Sequence, residues 1–120
     1  NLMVIADQTY MEQVLRNYIT NAIKNASEVN NEKIIKISYK YNEETKKVRV
    51  NVFNTGENIK EEDIQRIWKR FYKVDTSRNR DAGGTGIGLA LVKAIMERYG
   101  NDYGVINKDN GVEFYFYINC

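Results

Sequence analysis

The sequence predicts a two-layer α+β sandwich, with about three helices packed on one face of a mixed, mainly antiparallel sheet of about five strands. Three observations carry that expectation. Apolar residues recur at helical spacing in two long segments, they alternate with polar residues in several short ones, and 120 residues with 42% hydrophobic content can fill one core but not two. Helices and strands that share a single core settle into layers, because each has one apolar face to bury.

Taken in chain order, Leu2 to Ile5 is a short apolar run that reads as an edge strand. Thr9, followed three residues later by Glu12, reads as a capping box opening a helix from Tyr10 to about Glu28. Val14, Leu15, Tyr18, Ile19, Ala22, Ile23 and Ala26 recur at helical spacing and give this helix an apolar face. Its other face carries Asn17, Asn21, Lys24 and Asn25, which is unusual because asparagine is a mediocre helix former. Ile35, Ile37, Tyr39 and Tyr41 alternate with polar residues, Asn42 to Lys46 supplies a turn, and Val48, Val50 and Val52 alternate again. That is an antiparallel pair with one face buried.

After Phe53 the stretch Asn54-Thr55-Gly56-Glu57-Asn58-Ile59 is a turn-like break, and Glu61 to Trp68 makes a short helix with acidic residues in its first turn. From Lys69 to Gly84 the chain is basic, polar and aperiodic, with Phe71, Tyr72 and Val74 as its few apolar anchors, the signature of a mobile loop tied down at one end. Gly84-Thr85-Gly86-Ile87-Gly88-Leu89 leads into a second long helix, Leu89 to about Tyr99, with Leu89, Val92, Ile95 and Met96 as its buried stripe. Tyr103 to Ile106, a turn at Lys108 to Gly111, and Val112 to Ile118 complete a hairpin.

Composition excludes several classes of function. Eighteen basic against sixteen acidic residues give a charge of +2, short of the field a nucleic-acid binder needs, so no nucleic-acid partner is expected. A single cysteine, Cys120, can form neither an internal disulfide nor a paired-cysteine metal site. No apolar stretch approaches the roughly 20 residues that cross a bilayer, and the amino terminus lacks the regions of a signal peptide, so the chain is expected to be soluble. It has no histidine, and any imidazole chemistry has to be supplied from outside.

Two constellations carry chemistry. Glycines at 84, 86 and 88 let the backbone approach a ligand closely, and the helix that starts near Gly88 offers unpaired amides and a positive dipole end to phosphate oxygens. A plain helix start or hinge is the alternative. The run is no P-loop, since no Gly-Lys-Ser or Gly-Lys-Thr follows, and it does not open a βαβ unit. Asn17 and Asn21 lie four apart and Lys24 three further on, so they share a helix face. Asparagine offers a neutral oxygen to Mg²⁺ without a carboxylate that would repel a triphosphate, and Lys24 offers a point charge. The alternative there is a merely solvated face.

Together these segments resemble the GHKL ATPase and kinase superfamily, and within it the histidine kinases. Gln13 to Asn25 is similar to the family's N box, Asn54 to Ile59 to its G1 box, Trp68 to Val74 to its F box and Gly84 to Leu89 to its G2 box. Asn54-Thr55-Gly56-Glu57, followed by Phe71-Tyr72-Lys73-Val74-Asp75, is also similar to Gram-positive sensors of the vancomycin-resistance type.

The resemblance implies a Bergerat ATP-binding fold spanning residues 1–120, with an ATP lid at about 69–84. It implies that Asn21 coordinates the magnesium on the phosphates, with Asn17, Lys24 and Asn25 beside it. Asn54 would stand where the family has the aspartate that accepts the adenine amino hydrogens, and Gly56 would let the backbone pass beneath the base. Asn58 and Ile59 would complete that loop, with Asn58 at the second glycine of the box. Phe71 and Tyr72 would anchor the lid, Lys73, Arg78 and Arg80 would lie in or beside it, and Gly84, Thr85, Gly86, Ile87, Gly88 and Leu89 would wrap the triphosphate. Asn54 keeps an acceptor oxygen but gives up the charge, and charge-assisted bonds are roughly twice as strong as neutral ones.

The implied activity is protein-histidine kinase. The domain would hold ATP and Mg²⁺ for a histidine on its own dimerisation domain, and a response regulator would take the phosphate next. The parent would be a homodimeric bacterial membrane protein with this domain in the cytoplasm. Three other functions stay open: a self-contained GHKL ATPase, disfavoured because Asn17 stands where such enzymes resemble one another in having a glutamate base, an anti-sigma-type serine kinase, and a partner-binding module that has lost its nucleotide.

Overall fold

The computed structural model describes residues 2–70 and 88–119. Among them, four strands form one fully antiparallel sheet in the order β1-β2-β4-β3: β1 (Ile35–Asn42), β2 (Lys47–Thr55), β3 (Tyr103–Lys108) and β4 (Gly111–Asn119). The first hairpin closes because Asn42 folds its side chain back, Oδ1 accepting the amides of Glu44 at 2.9 Å and Thr45 at 3.2 Å.

Register places Ile37, Val52, Phe114 and Val105 in one row across the sheet, and Tyr39, Val50, Phe116 and Tyr103 in the next. Side chains alternate along each strand, so these rows point to one face and Arg49, Asn51, Phe53, Glu113, Tyr115 and Tyr117 to the other. The first face carries the helices: α1 (Leu2–Asn25), α2 (Glu61–Ile64), a 3₁₀ turn (Arg66–Trp68) and α3 (Gly88–Tyr99).

The core lies between the layers. Met11, Val14, Tyr18 and Ala22 of α1 and Val92, Ile95 and Met96 of α3 meet Val50, Val52, Val105, Val112, Phe114 and Phe116, with Ile67 and Trp68 closing one side. Tyr18 is its hub. The ring contacts Phe114 at 5.2 Å, Phe116 at 5.7 Å and Trp68 at 6.4 Å between centroids, while its hydroxyl donates to the Tyr115 carbonyl at 3.0 Å. Burial holds the phenol far above its ordinary pKa, so it stays a neutral donor.

Three expectations change. Leu2 to Ile5 is the first turn of α1 rather than an edge strand, and Thr9 lies inside the helix, where Gln8 reaches Glu12 at 3.4 Å one turn on. Extending an existing helix adds a hydrogen bond for each residue fixed, whereas a four-residue strand gains nothing without a neighbour. At the other end α1 stops at Asn25, three residues early, because the Ser27 amide turns away to the Thr55 carbonyl at 2.9 Å. Finally, β1 pairs as expected but does not bury its apolar face. Ile37 is 51% and Tyr39 77% exposed, since the helical layer covers β2 and stops short of the edge. No helix among the described residues is long and apolar enough to cross a membrane.

Candidate functional site

The site residues that fall on described segments gather at two places. The first is the end of β2 and the loop after it. Asn54 is 2% and Thr55 4% exposed, although both are polar. Thr55 is fully used: its amide and hydroxyl both reach the Ile34 carbonyl, and its Oγ1 accepts the Ile34 amide at 2.9 Å. Asn54 is half used. Its Nδ2 donates to the Thr55 carbonyl at 3.0 Å, while its Oδ1 is buried with no partner. Because the amide nitrogen is held by the Thr55 carbonyl, the free end of this side chain is an acceptor. An orphaned buried acceptor costs about 1–3 kcal/mol, a cost that a donor on a ligand would remove.

Gly56 follows with φ of +145°, a region closed to other residues. A Cβ there would stand 3.1 Å from Ser27 Oγ and 3.3 Å from the Asn25 carbonyl, so the space belongs to the turn after α1. Glycine is thus required first by the packing of the loop against that turn. Asn58 departs from what its place in the motif suggests. The non-glycine residues with positive φ among the described residues are Asn30, Asn31, Lys46 and Asn110, so Asn58 has no need of glycine's freedom. Its Nδ2 instead donates to the carbonyls of Lys108 at 3.0 Å and Gly111 at 2.8 Å.

The second place is the outer face of α1. Asn25 Nδ2 donates to both the main-chain carbonyl and Oδ1 of Asn21, each at 2.9 Å, which fixes the Asn21 oxygen and leaves it one lone pair. Asn25 therefore orients Asn21. Asn17 stands one turn earlier, with its Nδ2 buried and unpartnered, and a Cβ built on Gly88 would lie 3.9 Å from its Oδ1. The structure thereby brings the asparagine face of α1 to the first residue of α3, where amides lack helical partners. Lys24 is exposed and Leu89 half-buried. Phe71, Tyr72, Lys73, Arg78, Arg80, Gly84, Thr85, Gly86 and Ile87 lie outside the described residues.

Residues that the sequence did not single out complete the first place. Asn107 Oδ1 accepts the Ile59 amide at 2.8 Å and its Nδ2 donates to the Ile59 carbonyl at 2.9 Å. Asn110, at φ of 66°, turns its carbonyl to the Gly56 amide at 2.9 Å. Gly111 lies flush on the Asn54 carbonyl and the Phe53 ring, where a Cβ has no room. The Asp109-Asn110-Gly111 turn was legible as a turn; its contact with a loop some fifty residues away was not.

This layering, with a polar loop at the end of a central strand meeting the asparagine-bearing helix, is that of the Bergerat ATP-binding fold. Residues 6–120 match the family described as histidine kinase-, DNA gyrase B-, and HSP90-like ATPase, and the chain belongs to that family. Among curated relatives it is 37% identical over 102 residues to the sensor histidine kinase WalK of Bacillus subtilis, an alignment that takes in 85% of this chain and 16% of WalK. The chain thus spans about a sixth of that relative's length.

Among solved structures it is similar to the nucleotide-free catalytic domain of histidine kinase ThkA, with 37% identity, a TM-score of 0.76, and coverage of 94% of this chain and 68% of that one. ThkA in complex with the response regulator protein TrrA matches at 33% identity and a TM-score of 0.70, over 93% of this chain and 29% of that one. Full-length ShkA in complex with AMPPNP matches at 26% and 0.73, over 90% and 21%. Membership implies binding of ATP with Mg²⁺.

Proposed function

We propose that this chain is the catalytic domain of a two-component sensor kinase, which holds Mg²⁺-bound ATP while a histidine on a separate dimerisation domain takes the γ-phosphoryl group. The observation that carries the reading is the buried, unpartnered Oδ1 of Asn54, an acceptor set into the floor of the loop and suited to the amino group of adenine. At the other end, Asn21 offers the metal a side-chain oxygen steadied by Asn25, Asn17 offers a buried amide donor, and the start of α3 offers main-chain amides to phosphate. Gly84, Gly86, Lys73, Arg78 and Arg80 join the phosphate end in this reading.

When bound, ATP supplies the phosphoryl group and Mg²⁺ offsets its charge. The chain itself contributes position, which is most of what phosphoryl transfer asks of a protein. With no histidine of its own, it is a donor half that needs an acceptor half. The likeness to ThkA bound to its response regulator supports a response regulator as partner. The dimerisation domain, and a homodimeric membrane sensor with this domain in the cytoplasm, belong to the same proposal. The narrower likeness to vancomycin-resistance-type sensors rests on Asn54 to Glu57 and residues 71–75 alone.

Titration calorimetry with ATP and magnesium tests the first half, and absence of heat at millimolar nucleotide sinks it. Incubation with labelled ATP, alone and then with the dimerisation domain of the same protein, tests the second. Acid-labile, base-stable label is expected only on the added domain, and hydrolysis by this chain alone should be negligible.

A further inference from the structure

We propose that Asn58 and Asn107 are positioning residues for the adenine end of the site, acting as a clamp that holds the loop at residues 54–59 on the β3–β4 turn. The inference rests on the nucleotide-binding reading above. Five hydrogen bonds join the two segments: Asn58 Nδ2 to the Lys108 and Gly111 carbonyls, the Ile59 amide to Asn107 Oδ1, Asn107 Nδ2 to the Ile59 carbonyl, and the Gly56 amide to the Asn110 carbonyl. Four of the five use a side chain of Asn58 or Asn107.

The residue type matters at both positions. Asn107 exchanges a donor and an acceptor with the main chain of Ile59, as a strand neighbour would, and only a primary amide presents both groups side by side. Asn58 has two hydrogens on one nitrogen and spends them on two carbonyls of the opposite turn. Glycine here, as at the corresponding place in the family's box, would provide backbone freedom that φ at this position does not need and would remove both donors. The departure from the motif exchanges flexibility for fixation.

The clamp matters because Asn54 lies four residues before Asn58, and its own carbonyl rests on Gly111 of the same turn. The turn therefore braces the loop on both sides of Gly56. An acceptor held in place before the ligand arrives leaves less ordering to be done on binding. That offsets part of what a neutral amide gives up against a carboxylate.

The test compares wild type, Asn58→Gly and Asn107→Ala in calorimetric titrations with Mg·ADP and, separately, with magnesium tripolyphosphate, which has no base. Each variant is expected to weaken ADP roughly fivefold, the worth of about one net hydrogen bond, and to leave tripolyphosphate unchanged. Amide exchange at Ile59 should quicken in Asn107→Ala. Should that variant fold poorly, Asn58→Gly carries the test, since it removes both donors at position 58 and leaves the Asn107 bonds to Ile59 in place. Asn58→Gly that binds ADP as tightly as wild type or tighter overturns the proposal, and so does equal weakening towards ADP and tripolyphosphate. A wild-type chain that takes up no ADP overturns the nucleotide-binding reading and this proposal with it, whereas equal ADP binding by all three overturns this proposal alone.

Discussion

The two ends of the proposed nucleotide site, one for the base and one for the phosphates, are built on opposite plans. At the base end, Asn54 and Thr55 are all but sealed from solvent, and the loop that bears them is tied to a distant hairpin before any ligand arrives. At the phosphate end, Asn21 and Asn17 are half-buried on a helix face, Lys24 and Asn25 are exposed, and the order visible among the described residues is one amide leaning on another. A neutral base is recognised by a few donors and acceptors whose placement must be right in advance, so rigidity is useful there. A triphosphate with its cation carries its own long-range attraction, and groups that adjust around it lose little. Fixation is spent on selectivity, and charge is left to find its partner.

The comparison can be broken most severely at Gly111. Replacement by alanine forces a methyl group into the Asn54 carbonyl and Phe53 ring, and a loss on the order of 3 kcal/mol in urea denaturation is expected, together with loss of ADP binding. A folded, ADP-binding variant of wild-type stability would show that the hairpin can move away from the loop.

Asn54→Asp should also destabilise the free domain, by about 1–3 kcal/mol, because a carboxylate oxygen replaces the donor that faces the Thr55 carbonyl at 3.0 Å. Burial without a donor raises the folded-state pKa of this new carboxyl above its unfolded value. The variant therefore keeps its stability below about pH 4 and loses it as pH rises through the folded-state pKa, and denaturant midpoints measured across that range check the sign. A midpoint that instead improves with pH would mean that the loop rearranges to supply a donor.

At the phosphate end, Asn21→Ala should weaken nucleotide about tenfold in magnesium and distinctly less in EDTA, since the role proposed for its oxygen is through the metal. Equal losses under both conditions would make Asn21 a structural residue. A smaller effect is expected from Tyr18→Phe, which removes the bond to the Tyr115 carbonyl and about 1 kcal/mol of stability. Because that bond anchors α1 to β4, tripolyphosphate binding should suffer more than selectivity for the base.

The smallest effect is an alkaline one. Burial, then the charge of Glu97 and the hydrogen bond to it at 3.2 Å, push the Tyr103 phenol from 10.0 to about 12. A phenol whose pKa is raised on folding contributes fully below its unfolded value and ceases to contribute as pH climbs through the folded one, so between 10 and about 12 stability should decline slightly. Tyrosine absorbance with increasing pH should show Tyr18 and Tyr103 ionising late, and Tyr103→Phe should remove one of the delayed steps.

Elements with a strong period were legible in the sequence. Val14, Tyr18 and Ala22 form the buried stripe that helical spacing marks, and Val48, Val50 and Val52 lie on the inner face of β2 as alternation requires. Period alone does not say how far a covering layer extends. Ile23 has the same apolar character as its neighbour Ala22 yet is 59% exposed, and the apolar face of β1 lies beyond the reach of the helices for the same reason. In the site, Asn21 was singled out by its helix-face spacing from Asn17 and Lys24, and Asn54 through the resemblance, because the family's boxes are contiguous. Asn107 belongs to no box, and its partner Ile59 is 48 residues away. No local pattern encodes such a contact. Asn58 was visible as a departure, but whether it harms or helps depended on a hydrogen-bond partner that only the folded chain reveals.

One further consequence follows from the position of Trp68, the sole tryptophan in the chain. It is 9% exposed, edge-on to Tyr103 at 5.0 Å, to Phe114 at 5.9 Å and to Tyr18 at 6.4 Å. The molecule thus carries its own optical label, with one emitter in an apolar setting and two tyrosines close enough to pass it their excitation. Emission from the native state should be blue-shifted and readily excited through tyrosine, and both properties should vanish together on unfolding. Since Trp68 closes the core just ahead of residues 69–84, the same light can be followed during nucleotide titration without attaching any dye.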